Sequence, residues 1–81
     1  MCQTCQEQEG KILVGYTDTA HSAGTLAECE QKCKSIEKCK SGMFYPEDKG
    51  NNCMINTEKG SDHKKYFMDE DKDTKVTYFE C

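Results

Sequence analysis

Apolar residues fall in short blocks separated by long polar stretches, and the blocks predict the elements. Lys11-Ile12-Leu13-Val14-Gly15-Tyr16 is β-prone and reads as a strand leading into a polar loop over residues 17–24. Thr25-Leu26-Ala27-Glu28 then has the Ser/Thr-x-x-Glu form of a capping box. Thr25 is placed to accept from the Glu28 amide, and Glu28 to reach back to the Thr25 amide. A helix is predicted from about Leu26 to Ser35 or Ile36. Leu26, Cys29, Cys33 and Ile36 recur at i, i+3, i+7 and i+10 and share one face. Lys32 and Lys34 lie toward its C-terminal end, where the helix dipole favours cations. Gly42-Met43-Phe44-Tyr45 reads as a strand and residues 46–51 as a turn. Asn52-Cys53-Met54-Ile55 is the returning strand of a hairpin. Residues 56–63 read as a loop, Lys64–Met68 as a strand, 69–75 as an acidic turn, and Val76-Thr77-Tyr78-Phe79 as the last strand. The sum is one helix packed on a small, mostly antiparallel sheet, an α+β class domain spanning residues 1–81.

Composition changes this picture in one respect. Only 35% of the 81 residues are hydrophobic, with no Trp, yet 7 are Cys. A core this thin needs a covalent or metal staple, and that Cys share marks a disulfide scaffold. Disulfide-dense domains belong to oxidising compartments. Met1-Cys2-Gln3-Thr4-Cys5 has neither a basic nor an apolar leader region. The expectation is therefore a module cut from a larger secreted protein; a cytosolic metal or redox protein is the other reading. The longest apolar run, Ile12-Leu13-Val14, excludes membrane insertion by a helix. Net charge is −4 and all 11 basic residues are Lys, which argues against a nucleic-acid partner and removes bidentate guanidinium recognition.

The cysteines carry the most specific signal. Cys29 and Cys33 sit side by side on one helix face, so they do not bridge each other readily and should staple the helix to later parts of the chain. A short link from Cys33 to Cys39 and a longer one from Cys29 to Cys53 would satisfy this without crossing chains. The run Cys29-x3-Cys33-x5-Cys39, the aromatic pair Phe44-Tyr45 and then Cys53-Met54-Ile55 resembles a PAN/apple domain. A strand ending in Gly15-Tyr16 after an N-terminal Cys, and a last strand closing at Cys81, extend the resemblance over nearly the whole chain. The resemblance implies nested bridges: Cys29–Cys53, Cys33–Cys39, and Cys5 or Cys2 with Cys81. Cys5 is favoured for the terminal bridge because it lies nearer the first strand, leaving Cys2 as a free or alternative thiol. One departure is Gly42, which stands where the family usually places an aromatic; Phe44 matches the second aromatic of the pattern.

Other chemistries are weaker. Cys2-x2-Cys5 could be half a zinc or redox site, but His21 and His63 are not spaced as partner ligands. Asp69, Asp71, Asp73 and Glu80 match acidic positions of a calcium loop, but Thr74 stands where that loop needs Gly. No nucleophile, base and orienting group form a set, so no catalytic residue and no cofactor are assigned and no enzyme is expected. Lys32, Lys34, Lys38 and Lys40, with Lys64 and Lys65, offer a basic patch for glycosaminoglycan, diluted by Glu28, Glu30 and Glu37. Tyr16, Tyr45, Tyr66 and Tyr78 offer stacking faces with polar tips.

The resemblance implies a non-catalytic, extracellular recognition module. Its expected partner is a protein, in adhesion that extends to host-cell attachment by a parasite microneme protein, beside neighbouring domains of its parent chain. The alternatives are a lectin that binds a cell-surface glycan and a module that oligomerises through the spare Cys. No ligand-binding residue is assigned from the sequence.

Overall fold

The computed structural model describes residues 5–81. Seven strands flank one helix: β1 (Gln6–Glu9), β2 (Lys11–Leu13), β3 (Thr17–His21), α1 (Leu26–Ser35), β4 (Ser41–Phe44), β5 (Cys53–Asn56), β6 (Phe67–Asp69) and β7 (Thr77–Glu80). Two single-turn 3-10 helices, Gly60–Asp62 and Lys64–Tyr66, lie between β5 and β6. Five strands form an antiparallel sheet in the order β1-β7-β4-β5-β3, while β2 and β6 pair as a separate antiparallel ribbon.

The central strands are covered on both faces, so their side chains divide between two cores. Phe44, Cys53, Ile55 and Phe79 join Cys29 and Cys33 of the helix on one side. Met43 and Tyr78 join Leu13 and Val76 on the other, with Met54 and Phe67 packed alongside. The domain is thus three layers, helix on sheet on ribbon. The middle residues of the central strands alternate between the two cores, while Ser41 and Asn56 are buried polar positions at their ends, joined by a 3.1 Å hydrogen bond.

The helix starts where the capping box predicts. The Thr25 hydroxyl accepts from the Glu28 amide at 3.2 Å. The Glu28 carboxylate reaches one residue further back than expected and takes the Gly24 amide at 3.0 Å. Asn52 fixes the approach to the helix, accepting from the Ala23 amide and donating to the Ala23 carbonyl, both at 2.8 Å. On the helix face Cys29 and Cys33 are buried, with Leu26 and Ile36 packed against the same core.

Three stretches depart from expectation. Residues 17–21 form edge strand β3 where a loop was expected, and Gln6–Glu9 adds an unforeseen edge strand, β1. Both are polar and exposed on both faces, so they lack the alternation that announces a strand; pairing with β5 and β7 makes them strands. Lys64–Tyr66 is a 3-10 turn, and only Phe67–Asp69 continues as a strand.

Gly42 explains the family aromatic it lacks. A Cβ there would run into the Phe79 ring and lie 2.7 Å from the Met54 carbonyl oxygen. Phe79, fully buried on the neighbouring strand, fills that volume instead.

Candidate functional site

Six cysteines form three bridges, Cys5–Cys81, Cys29–Cys53 and Cys33–Cys39, enclosing sequence separations of 76, 24 and 6. All six lie in or against the helix-side core. Cys2 lies outside the described residues.

The opposite side of the molecule carries the exposed apolar surface. In the β2–β6 ribbon Leu13 pairs with Phe67, and both point toward the sheet. Leu13 is 1% exposed, and the Phe67 ring lies 4.6 Å from that of Tyr78. Alternation therefore turns their neighbours outward. Ile12 pairs with Met68, and the Val14 amide donates to the Tyr66 carbonyl at 2.9 Å. Val14, Tyr66 and Met68 are 44%, 43% and 50% exposed, and they are the large exposed hydrophobics among the described residues. The outer face is covered only in part: Ile12 still packs against the ribbon-side core, while Val14, Tyr66 and Met68 stay open.

The Tyr66 end of this face is built on the two 3-10 turns. Tyr16 stacks on His63 at 4.2 Å and meets Tyr66 edge-on at 6.0 Å. His63 Nε2 donates to Glu58 Oε1 at 3.0 Å, and Lys40 Nζ lies 3.8 Å from Glu58 Oε2. The His63 bond and the Lys40 charge hold the Glu58 carboxyl below its usual range. Lys65 Nζ sits 5.8 Å from the Tyr66 ring centre. At the other end, Lys11 pairs with Asp69 at 2.7 Å and lies over the Phe67 ring at 5.5 Å.

A core residue positions the Tyr66 end. The buried Tyr78 hydroxyl accepts from the Gly60 amide and donates to Glu80 Oε2, both at 2.7 Å. Burial, reinforced by the Glu80 hydrogen bond, pushes the phenol up to about 12, so it remains a donor at any physiological pH. Gly60 also lies under the Phe67 ring, so the first 3-10 turn is fixed by Tyr78 and Phe67 together.

The other sequence candidates separate. Tyr45 and Tyr78 pack in or against the ribbon-side core, whereas Tyr66 is exposed. Asp69 is taken by Lys11, Asp71 accepts from the Asp73 amide, and Glu80 holds Tyr78. Among the described residues no three His, Cys, Asp or Glu side chains are grouped to hold a metal. A groove of about 640 Å³ opens beside Gly10, between Pro46, Val76 and the turn bearing Glu70 and Asp71. Val14 and Met68 were not singled out in the sequence. The signal was there in Ile12-Leu13-Val14 and Tyr66-Phe67-Met68, each apolar at consecutive positions. In a two-stranded ribbon with a single covering layer, that leaves one apolar face open.

A helix and a ribbon lie on opposite faces of a small, disulfide-stapled antiparallel sheet. The family model for the PAN domain matches residues 2–81, and the chain belongs to the PAN domain family. It is also 31% identical, over 74 residues and 85% of its length, to the uncharacterized protein F52C9.5 of Caenorhabditis elegans. The chain spans 11% of that relative's length. No solved structure matches it. PAN domains are non-catalytic modules that bind proteins or carbohydrates and occur in extracellular proteins. No helix among the described residues is long and apolar enough to cross a membrane.

Proposed function

We propose that this PAN domain is a protein-recognition module of a larger, secreted, adhesive protein, and that it binds its partner through the outer face of the β2–β6 ribbon. One observation carries this reading: Val14, Tyr66 and Met68 are all exposed on that one face. Contiguous exposed apolar surface on a small domain marks an interaction site, and an aromatic with a polar tip is a frequent anchor in such sites. The matched relative is far longer than this chain, which supports neighbouring domains in the parent protein. Host-cell attachment by a parasite microneme protein rests on the family resemblance, the lone-module architecture and the Lys-only composition, and no residue of the ribbon face bears on it. Carbohydrate binding is the second reading, favoured by the Tyr16, His63 and Tyr66 rings beside the Glu58 carboxylate, where a sugar could stack and hydrogen-bond.

The test is a paired screen of the oxidised domain against secreted and cell-surface ectodomains and against a glycan array. Saturable binding to an ectodomain, lost in Val14→Asp and Met68→Asp but kept in a Glu47→Ala control, supports the proposal. Binding to glycans alone would transfer the function to the second reading.

A further inference from the structure

The charges around the ribbon face are unevenly neutralised, and that unevenness specifies a partner. Glu58 at the Tyr66 end is held by both His63 and Lys40. Asp69 at the opposite end is held by Lys11. Lys59, just before the first 3-10 turn, and Asp62, at its end, carry opposite charges. Lys64 and Lys65 remain at the Tyr66 end, both exposed in the second 3-10 turn, with no carboxylate within ion-pair distance among the described residues. Lys65 lies over the Tyr66 ring, so its charge borders the apolar surface directly. The Asp69 end differs. It adjoins the groove lined by Glu9, Glu70 and Asp71, with Lys72 and Lys75 on the same lip. The negative field there is felt by the Tyr45 phenol, which burial raises first and the charges of Glu70 and Asp48 raise further.

We infer that the ribbon face is built for an apolar protein segment that carries carboxylates at one end, seated so that those carboxylates meet Lys64 and Lys65. This rests on the protein-recognition reading above and adds the chemistry and polarity of the partner. The apolar side chains of the segment cover Val14, Tyr66 and Met68. Its acidic end sits where two cations lack a carboxylate partner and away from the Glu70 and Asp71 carboxylates, which would repel it. Electrostatic complementarity of this kind sets orientation and on-rate more than it sets affinity.

Three synthetic peptides test it, titrated into the isotope-labelled oxidised domain and followed by amide chemical shifts. All share a Leu-Phe-Val core. One carries two Glu at one end, the second two Lys, the third two Ser. The Glu peptide should shift the amides of Val14, Tyr66, Met68 and Lys65 and bind about tenfold more tightly than the Lys peptide at low salt. That ratio should shrink toward one at about 1 M salt, where the Debye length is about 3 Å. The Lys64→Glu, Lys65→Glu double variant should reverse the preference while keeping the dispersed spectrum of a folded domain. Equal affinity of all three peptides at the ribbon overturns the charge assignment but leaves protein recognition standing. Tighter binding of the Lys peptide, or shifts confined to the Gly10 groove, also overturns it. If no peptide perturbs the ribbon, the inference fails. If in addition no ectodomain binding depends on Val14 or Met68, the broader reading fails with it.

Discussion

Replacing Tyr78 with Phe tests how the core controls the exposed face. The substitution keeps the ring, and so keeps its contact with Phe67 and its place beside Leu13 and Met43. It removes one hydroxyl, which serves two partners. The buried Gly60 amide loses its 2.7 Å acceptor, and an orphaned buried donor costs about 1–3 kcal/mol. Glu80 loses a donor too, but it is only partly buried and water replaces it, adding about 0.5 kcal/mol. The expected loss is about 2 kcal/mol, or a Tm drop of roughly 8–16 °C for a domain of this size. Thermal unfolding of the oxidised protein measures the total. Amide hydrogen exchange shows where it falls: protection should drop first over residues 60–66, while that of β5 and α1 holds. A loss below about 0.5 kcal/mol, the low end for a single hydrogen bond, with unchanged exchange over residues 60–66 would refute the claim that Tyr78 anchors the 3-10 turns.

Other consequences are equally direct. Burial first, then the hydrogen bond and charge of Glu7, raise the Glu30 carboxyl to about 7, against the weaker opposing charge of Lys34. The folded state therefore holds a proton that the unfolded chain releases near 4.5. Stability contributed by neutral Glu30 is complete below about pH 4.5 and is lost as pH rises through about 7. Urea midpoints should fall over that window by the equivalent of about 1 kcal/mol once solvent screening is allowed for, and Glu30→Gln should flatten the profile. Removing the Cys29–Cys53 bridge with a double Ala substitution opens a loop with a sequence separation of 24 and should cost about 3.5 kcal/mol. The same change at Cys33–Cys39, separated by 6, should cost about 2.3 kcal/mol in urea denaturation. Gly42→Ala drives a methyl into Phe79 and the Met54 carbonyl and should cost about 1–3 kcal/mol, read as a lower Tm. With six cysteines bridged, intact mass after alkylation of the oxidised protein should show one free thiol, assigned to Cys2, and a non-reducing gel should show monomer.

Burial decides which elements could be read from the sequence. α1 was legible because its capping residues and its four-residue apolar face act locally. β4, β5 and β7 were legible because Met43-Phe44, Cys53-Met54-Ile55 and Tyr78-Phe79 are apolar on successive positions, feeding both cores. β1 and β3 were not, since Gln6–Glu9 and Thr17–His21 are edge strands open to water on both faces and acquire their conformation from a partner. The turn at Lys64–Tyr66 was misread as strand because Tyr66, Phe67 and Met68 look alike in sequence. The Tyr66 amide bond to the His63 carbonyl and the Phe67 amide bond to the Lys64 carbonyl make the turn that precedes β6. The candidate site was the least legible part. The sequence offers Tyr16 and Tyr66 as stacking faces and Lys64 and Lys65 as part of a basic patch, but Val14 and Met68 join them only through ribbon pairing between segments far apart in the chain.

That pairing also divides the labour within the fold. Every bridge lies in the helix-side core, so the covalent restraint acts on α1, the termini and the sheet. The ribbon side has no bridge and rests on a few side chains, Leu13, Met43, Val76, Tyr78 and Phe67. An 81-residue chain with this little apolar material gains most of its resistance to unfolding from the cross-linked half. The recognition half then needs only enough packing to hold Tyr66, Val14 and Met68 in register. Substitutions beneath the ribbon should therefore loosen binding well before they unfold the domain, and substitutions at the bridges should do the reverse. The exchange pattern expected for Tyr78→Phe is the local form of this separation.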